Sequence, residues 1–398
     1  MQIRMIDLAQ QNEEIRREVE HEMTRVHAST SYIGGPQVAE FEEEFAARLG
    51  VRRVVGVGSG TDALRLALIA LGVGRDDEVI TTPMTFIATA EAIVQAGATP
   101  VFVDVDPSTR NMSPPGLRRY LEAGRWRSAN GPRALLPVHL YGSPAPLREI
   151  QAIAQAHRLP IVEDACQAHG ARLRMGDHWK AAGSIGAAGC FSFYPGKNLA
   201  AWGEAGAVAT DDEDLADRVS RLRDHGRVSH YGHLECGYNA RLDTIQAVVL
   251  RAKLKRLESW NARRRELASA YRVLLGDTSC QLPAEFPDRL SCYHLFVIQT
   301  PFREALRRTL LEHRIECGVH YPLPLHLQPA LSFLGYRRGD FPASESIADS
   351  VLSLPIHPHL NDLDVLRVAQ RVADSLGEMT ALRPDRAGRS GEESSRQW

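Results

Sequence analysis

The chain has 398 residues, 47 of them basic and 49 acidic, for a formal net charge of −2, which excludes a strongly basic nucleic-acid binder or an acidic solvating tail as its main identity. At 44% hydrophobic and 24% charged, it reads as an ordinary soluble globular protein, long enough for two lobes because single cores stop growing at roughly 250–300 residues. Its basic residues are 43 arginines and only four lysines, Lys180, Lys197, Lys253 and Lys255.

The first helical stripe, over residues 12–28, carries Ile15, Val19, Met23 and Val26 among charged residues. Arg4, Asp7, Glu13 and Glu14 ahead of and within it leave no room for the apolar core of a signal peptide. No uncharged apolar run approaches the roughly 18 residues of a membrane span, so a cytoplasmic location is expected. A second helix follows Pro36, with Val38, Phe41, Phe45 and Leu49 at helical spacing and Gly50 as its stop. Strands are then expected at 53–57, 78–81, 99–104, 135–139 and 160–163. Helices are expected between them at 62–71, 86–96, 117–122 and 147–157. Such alternation argues for a mainly parallel sheet covered by helices on both faces, an α/β fold.

Two more strands are read at 190–193 and 205–209, then one long helical stretch over 242–275. A smaller C-terminal α+β unit follows, with a strand at 293–300, a helix at 303–313 and a strand at 315–320. The Arg-, Ser-, Gly- and Glu-rich tail is expected to be disordered. The division is therefore an N-terminal arm and helix (1–35), a large α/β domain (36–250), a small domain (251–380) and a tail (381–398). The six cysteines are scattered with no C-x-x-C pair, so neither a disulfide framework nor a metal site is expected.

Ligands of open α/β sheets bind outside the carboxyl ends of the strands, and three features fall there. The segment Gly56-Val57-Gly58-Ser59-Gly60-Thr61 joins a strand to a helix N-terminus, where free N–H groups and a partial positive charge receive an anion. A tight turn is the plain alternative. It is not a dinucleotide fingerprint, because Thr61 stands where the third glycine belongs, and no acidic residue ends the next strand. A nicotinamide dehydrogenase is thus a weak alternative. Asp164 ends an apolar strand, where a carboxylate is costly unless it meets a positive partner, although strand-end aspartates also serve as caps. Lys197, in Phe191-Ser192-Phe193-Tyr194-Pro195-Gly196-Lys197-Asn198-Leu199, is the only charged residue between Ala181 and Ala201. An amine stripped of solvation there moves toward its nucleophilic form, and arginine could not replace it, since a guanidinium never deprotonates in proteins. Lys180, Lys253 and Lys255 have polar neighbours and read as surface lysines. Anion cradle, carboxylate and amine together match what pyridoxal 5′-phosphate requires.

These residues also resemble the fold-type I, pyridoxal-phosphate-dependent sugar aminotransferases of the DegT/DnrJ/EryC1/StrS group. The resemblance runs from Tyr32-Ile33-Gly34-Gly35-Pro36 to Ser353-Leu354-Pro355-Ile356-His357. It passes through Ser59-Gly60-Thr61-Asp62, Pro137-Val138-His139-Leu140-Tyr141-Gly142, Glu163-Asp164-Ala165-Cys166-Gln167-Ala168-His169-Gly170 and the Lys197 segment. It implies that Lys197 holds the cofactor's aldehyde and shuttles a proton, and that Asp164 pairs with the pyridine nitrogen. Gln167 would lie by the phenolic oxygen, Phe86 would stack on the ring, and Gly60, Thr61 and Ser192 would bind the phosphate. Asn239 would reach the phosphate of a partner subunit, which implies a homodimer with shared sites.

The implied reaction moves an amino group, usually from L-glutamate in this family, to a keto group on a nucleotide-linked hexose. The segment Gly318-Val319-His320-Tyr321-Pro322 looks like that of members aminating C3 of dTDP- or UDP-sugars. His320, Tyr321 and a partner's Arg241 would then contact substrate. A rigid proline-rich loop packing between lobes is the plain alternative for His320 and Tyr321. A C4-keto sugar or an aminocyclitol is the alternative acceptor. Relatives that are dehydratases carry histidine in place of the lysine, which Lys197 argues against.

Overall fold

The computed structural model describes residues 2–381; apart from Ala381, which ends the last helix, the expected disordered tail lies outside them. In chain order the strands are β1 (Arg53–Val57), β2 (Asp77–Thr81), β3 (Thr99–Phe102), β4 (Gly131–Leu135), β5 (Val162–Asp164), β6 (Arg172–Met175), β7 (His178–Ala181), β8 (Ala188–Ser192), β9 (Gly206–Thr210), β10 (Arg289–Leu290), β11 (Phe296–Gln299) and β12 (Val351–Leu354). The α-helices are α1 (Leu8–Ser29), α2 (Pro36–Leu49), α3 (Gly60–Ala70), α4 (Ala88–Gln95), α5 (Pro114–Ala123), α6 (Leu147–Ala156), α7 (Glu213–Leu222), α8 (Thr244–Leu254), α9 (Leu257–Leu275), α10 (Arg303–Glu312), α11 (Pro342–Ser350) and α12 (Asp362–Ala381).

The order β3-β2-β4 meets the order β5-β8-β9-β1 through parallel bridges from Leu135 to Ile161 and from Val138 to Asp164. The seam is closed by Asp164 N–H donating to the Pro137 carbonyl at 2.9 Å and His139 N–H to the Asp164 carbonyl at 3.0 Å. The result is one sheet in which β9 alone runs against the rest. The carboxyl ends of β1, β2, β5 and β8 therefore share one edge. Burial on both faces explains their apolar, β-branched composition.

One face packs on α2, where Phe41 and Phe45 meet Phe191 and Phe193 edge to face at ring-centroid distances of 5.1 to 5.5 Å, all four rings buried. Edge-to-face contacts of this kind add about 0.5–1.5 kcal/mol each beyond area burial. The other face packs on α3 through Leu64, Leu66 and Leu68, with Val219 and Leu222 of α7. A separate core gathers Leu267 and Tyr271 of α9, Phe296 and Ile298 of β11, Leu306, Leu352 and Val368.

Several elements depart from the sequence reading: the strand expected at 135–139 is β4 at Gly131–Leu135, and α7, β10, α11, β12 and α12 have no counterpart in it. The long helix breaks at Lys255 and Arg256 into α8 and α9; Arg256 donates to the Ala252 carbonyl at 2.8 Å, giving a carbonyl at the break a side-chain partner. Residues 315–320 form no strand; a single bridge, Gly318–Ser353, joins their backbone to β12, and another, Ile3–Ile315, joins it to the N-terminus. Residues 172–181, for which the sequence suggested no element, form the β6–β7 hairpin. Lys253 is also not a surface residue: it is 1% exposed, beneath α1. No helix among the described residues is long and apolar enough to cross a membrane.

Candidate active site

Ser59 caps α3, its Oγ accepting the Asp62 N–H at 3.1 Å, which leaves the first amides of that helix facing the sheet edge. Gly60 has no room for a side chain: a Cβ there would lie 2.5 Å from Ser192 Cβ and 3.1 Å from Cys166 Sγ. The absence of that Cβ lets the α3 N-terminus approach the end of β8. Thr61 and Ser192, both partly exposed, border the same opening. An anion is the ligand such an opening favours.

Asp164, 5% exposed, ends β5. Its Oδ2 accepts the Thr89 hydroxyl at 2.7 Å and its Oδ1 the Cys166 N–H at 3.2 Å. The Thr89 hydroxyl, on α4, in turn lies 3.0 Å from the Thr85 hydroxyl in the loop that leads into that helix. The carboxylate is thus fixed by neutral donors and keeps lone pairs for a cationic partner. Beside it, Glu163 is fully buried yet fully engaged, accepting from Gly183, Ile185 and Gly186 N–H at 2.6 to 2.7 Å and from His139 at 2.9 Å. Because His139 Nδ1 accepts the Ala145 N–H, its proton is on Nε2, facing Glu163. These bonds hold the lead-in to β8, and so the segment bearing Lys197.

Lys197 follows β8 in a turn closed by its own N–H donating to the Tyr194 carbonyl at 2.9 Å. Burial pushes its amine below the ordinary lysine range, against the opposing pull of Cys166 and Asp164. The amine's charge is felt by three imidazoles, each pushed down by burial first and by Lys197 next: His169, to about 3, His294 and His320. Burial and then Asp164 raise the Cys166 thiol, so it stays protonated.

Gln167 ties Tyr141 to the expected Tyr321, its Oε1 accepting the Tyr141 N–H at 2.7 Å and its Nε2 donating to Tyr321 Oη at 3.0 Å. Phe86 is 53% exposed with its ring 5.9 Å from that of Tyr321. His320 Nδ1 lies 2.8 Å from Ser353 Oγ, and its carbonyl accepts the Tyr141 hydroxyl. Lys197, Asp164, Gly60, Thr61, Ser192, Gln167, Phe86, His320 and Tyr321 thus collect at one edge. Asn239 and Arg241 contact none of them: Arg241 pairs with Asp224 at 2.9 Å and with Asn239 Oδ1 at 3.0 Å.

Thr89 and Tyr141 were not singled out from the sequence. Thr89 had a faint signal, lying three residues beyond Phe86 in the helix read over 86–96; Tyr141 stood only within the motif of residues 137–142, since its backbone φ of 60° and its contacts come from the fold. A cradle closed to any side chain, a fixed carboxylate, a desolvated amine and an open aromatic ring together suit a phosphate-bearing pyridine aldehyde.

The model of the DegT/DnrJ/EryC1/StrS aminotransferase family matches residues 13–373. The chain is 46% identical to the erythromycin biosynthesis sensory transduction protein EryC1 of Saccharopolyspora erythraea, over 91% of this chain and 96% of that one. It is 44% identical to the dTDP-3-amino-3,4,6-trideoxy-α-D-glucose transaminase of Streptomyces venezuelae, over 93% and 95%. The solved structure of S. venezuelae DesV in complex with a ketimine intermediate superposes with a TM-score of 0.89 at 42% identity, covering 96% of this chain and 100% of that one.

Proposed function

Because the chain belongs to the DegT/DnrJ/EryC1/StrS aminotransferase family, and so is an aminotransferase of fold type I that works through pyridoxal 5′-phosphate, we propose that it aminates C3 of a nucleotide-linked keto-hexose. The observation that carries this reading is the desolvated Lys197 amine at the same sheet edge as Asp164. The name of the S. venezuelae transaminase supports a dTDP-linked acceptor with nitrogen at C3. L-Glutamate is the proposed donor.

When bound, the cofactor supplies an electron sink that makes a Cα–H bond acidic and stores nitrogen between two half-reactions. The protein's residues do the rest. Lys197 Nζ, kept toward its neutral form by burial, would hold the cofactor's aldehyde and would be the base that moves the donor's Cα proton. Asp164 keeps a proton on the pyridine nitrogen, and the Thr89 hydroxyl keeps Asp164 aimed. Gly60, Thr61 and Ser192 would take the phosphate, Phe86 would meet the ring, and Gln167 would serve the phenolic oxygen. His320 and Tyr321, anchored by Ser353 and Gln167, face the sugar nucleotide.

Completion of the site falls to a second copy. Segment 228–234 leaves Val228, Tyr231 and Leu234 at 57%, 88% and 69% exposure just ahead of Asn239. Apolar residues so open favour a covering partner. In the homodimer the partner subunit's Asn239 reaches the phosphate and the partner subunit's Arg241 the sugar or diphosphate, where a guanidinium suits oxyanions.

The decisive experiment is borohydride reduction of the purified enzyme followed by peptide mapping. Label on Lys197 supports the reading, and label elsewhere, or no cofactor, overturns it. Lys197→Arg keeps the charge and should abolish turnover, a loss of at least about 1,000-fold, since guanidinium cannot act as the nucleophile. Assays of dTDP- and UDP-linked 3-keto and 4-keto sugars test the acceptor, and preference for a 4-keto sugar would displace the C3 reading.

A further inference from the structure

The loop between β2 and α4 reaches several parts of the site in consecutive residues. The Pro83 carbonyl accepts the Leu325 N–H at 2.7 Å, from the segment that follows Tyr321. Met84 is buried in the cluster that contains Tyr141. The Thr85 hydroxyl lies 3.0 Å from that of Thr89, and Phe86 presents its ring 5.9 Å from that of Tyr321. Thr85 and Thr89 are both buried, so each hydroxyl depends on the protein for its partners.

Counting protons gives these bonds their direction. An ionised carboxylate only accepts, so the single hydroxyl proton of Thr89 goes to Asp164 Oδ2, 2.7 Å away. Thr89 then has no proton left for Thr85, and the one between the two oxygens must belong to Thr85. Thr85 therefore donates to Thr89, and Thr89 to Asp164. A hydroxyl that accepts a hydrogen bond becomes a stronger donor, and chains of this kind strengthen each bond by roughly 10–30% inside a protein. The other carboxylate oxygen, Oδ1, accepts the Cys166 N–H at 3.2 Å. The relay is thus the closer of the two supports that hold Asp164.

We propose that Thr85 is a positioning residue for the cofactor's ring. Its hydroxyl acts through Thr89 to keep Asp164 ionised and aimed at the pyridine nitrogen. The same bond fixes the backbone that carries Phe86, the next residue in the chain, to the face of the ring. One hydroxyl so sets the edge contact and the face contact together. This rests on the reading of Asp164 and Phe86 as cofactor contacts.

The test is a double-mutant cycle on the holoenzyme, read by equilibrium dialysis of the cofactor and by the rate of its visible change with L-glutamate. Thr85→Val keeps the shape and removes the donor. Loss of that bond should weaken cofactor retention at least about threefold and slow the visible change. In a Thr89→Val background the same substitution should cost less than about 1.5-fold, because the bond it removes is already gone. Thr85→Ser keeps the hydroxyl and should stay within about twofold of the parent. A smaller loss for Thr85→Val in the parent, an equal loss in both backgrounds, or a serine variant as weak as the valine one would overturn the proposal. The last two outcomes would mark Thr85 as a packing residue. If Thr85→Val does not fold, Thr85→Ala measured against Thr85→Ser carries the same comparison. Borohydride mapping of the parent separates this result from the reading it rests on. Label away from Lys197 sinks that reading first, whereas label on Lys197 with parent-like variants sinks this proposal alone.

Discussion

Lys253 is buried beneath α1 with Gln11 Oε1 as its hydrogen-bond partner at 3.2 Å, and burial pushes its amine down to about 8. The unfolded chain holds that proton more tightly, so between about pH 8 and 10.4 unfolding takes up a proton and stability rises with pH. Below pH 8 the full cost of burying the charge is present. Lys253→Met should therefore stabilise the protein at pH 7 by about 2–3 kcal/mol, with the advantage shrinking toward pH 10.4. Denaturant melts at pH 7 and 10 check this, and an equal gain at both would refute it. Thr89→Val removes the hydroxyl donated to Asp164. A bond to a charged group is worth about 1.5–3 kcal/mol, so cofactor affinity should fall at least about tenfold, read by equilibrium dialysis. The sequence separates Lys197 from the other lysines by its uncharged neighbours. It could not reveal Lys253, because arginines beside it in the chain say nothing about which side of α8 the N-terminal helix covers.

At the scale of the element, the turn from β1 into α3 was legible because glycine and serine there answer to local geometry. Gly60→Ala would place a methyl 2.5 Å from Ser192 Cβ, forcing the helix N-terminus away from the anion opening. The expected outcome is a folded protein, by circular dichroism, that retains cofactor at least about tenfold less tightly; parent-like retention would contradict it. Two elements were misread for tertiary reasons. The alternation in 315–320 resembles a strand, yet β12 pairs along its length with β11 and meets this segment at one bridge. The break at Lys255 and Arg256 has neither glycine nor proline to announce it. There Arg256 turns instead to α1, donating to the Glu14 carbonyl and to Glu18.

For the whole molecule, strand and helix alternation was enough to anticipate a mainly parallel sheet. The seam that joins its two parts was not visible, since it depends on which strands become neighbours. Nor does one chain show where Asn239 and Arg241 act. If they serve the partner's site, then mixing Lys197→Ala subunits with Asn239→Ala subunits creates dimers with one intact site. Random reassortment gives half hybrids, so activity should return to roughly a quarter of the parent's. No recovery on mixing, with hybrids confirmed by mass, would place these residues outside a shared site. The burial of the lysines has a further consequence for the intact protein. Lys180 and Lys255 are open to water, Lys253 is enclosed, and Lys197 is occupied whenever cofactor is attached to it. A mild acylating reagent should consequently mark two side-chain amines on the loaded enzyme. Stripping the cofactor should add a third, so a mass increment of one acyl group becomes a direct measure of how many sites in a preparation are empty.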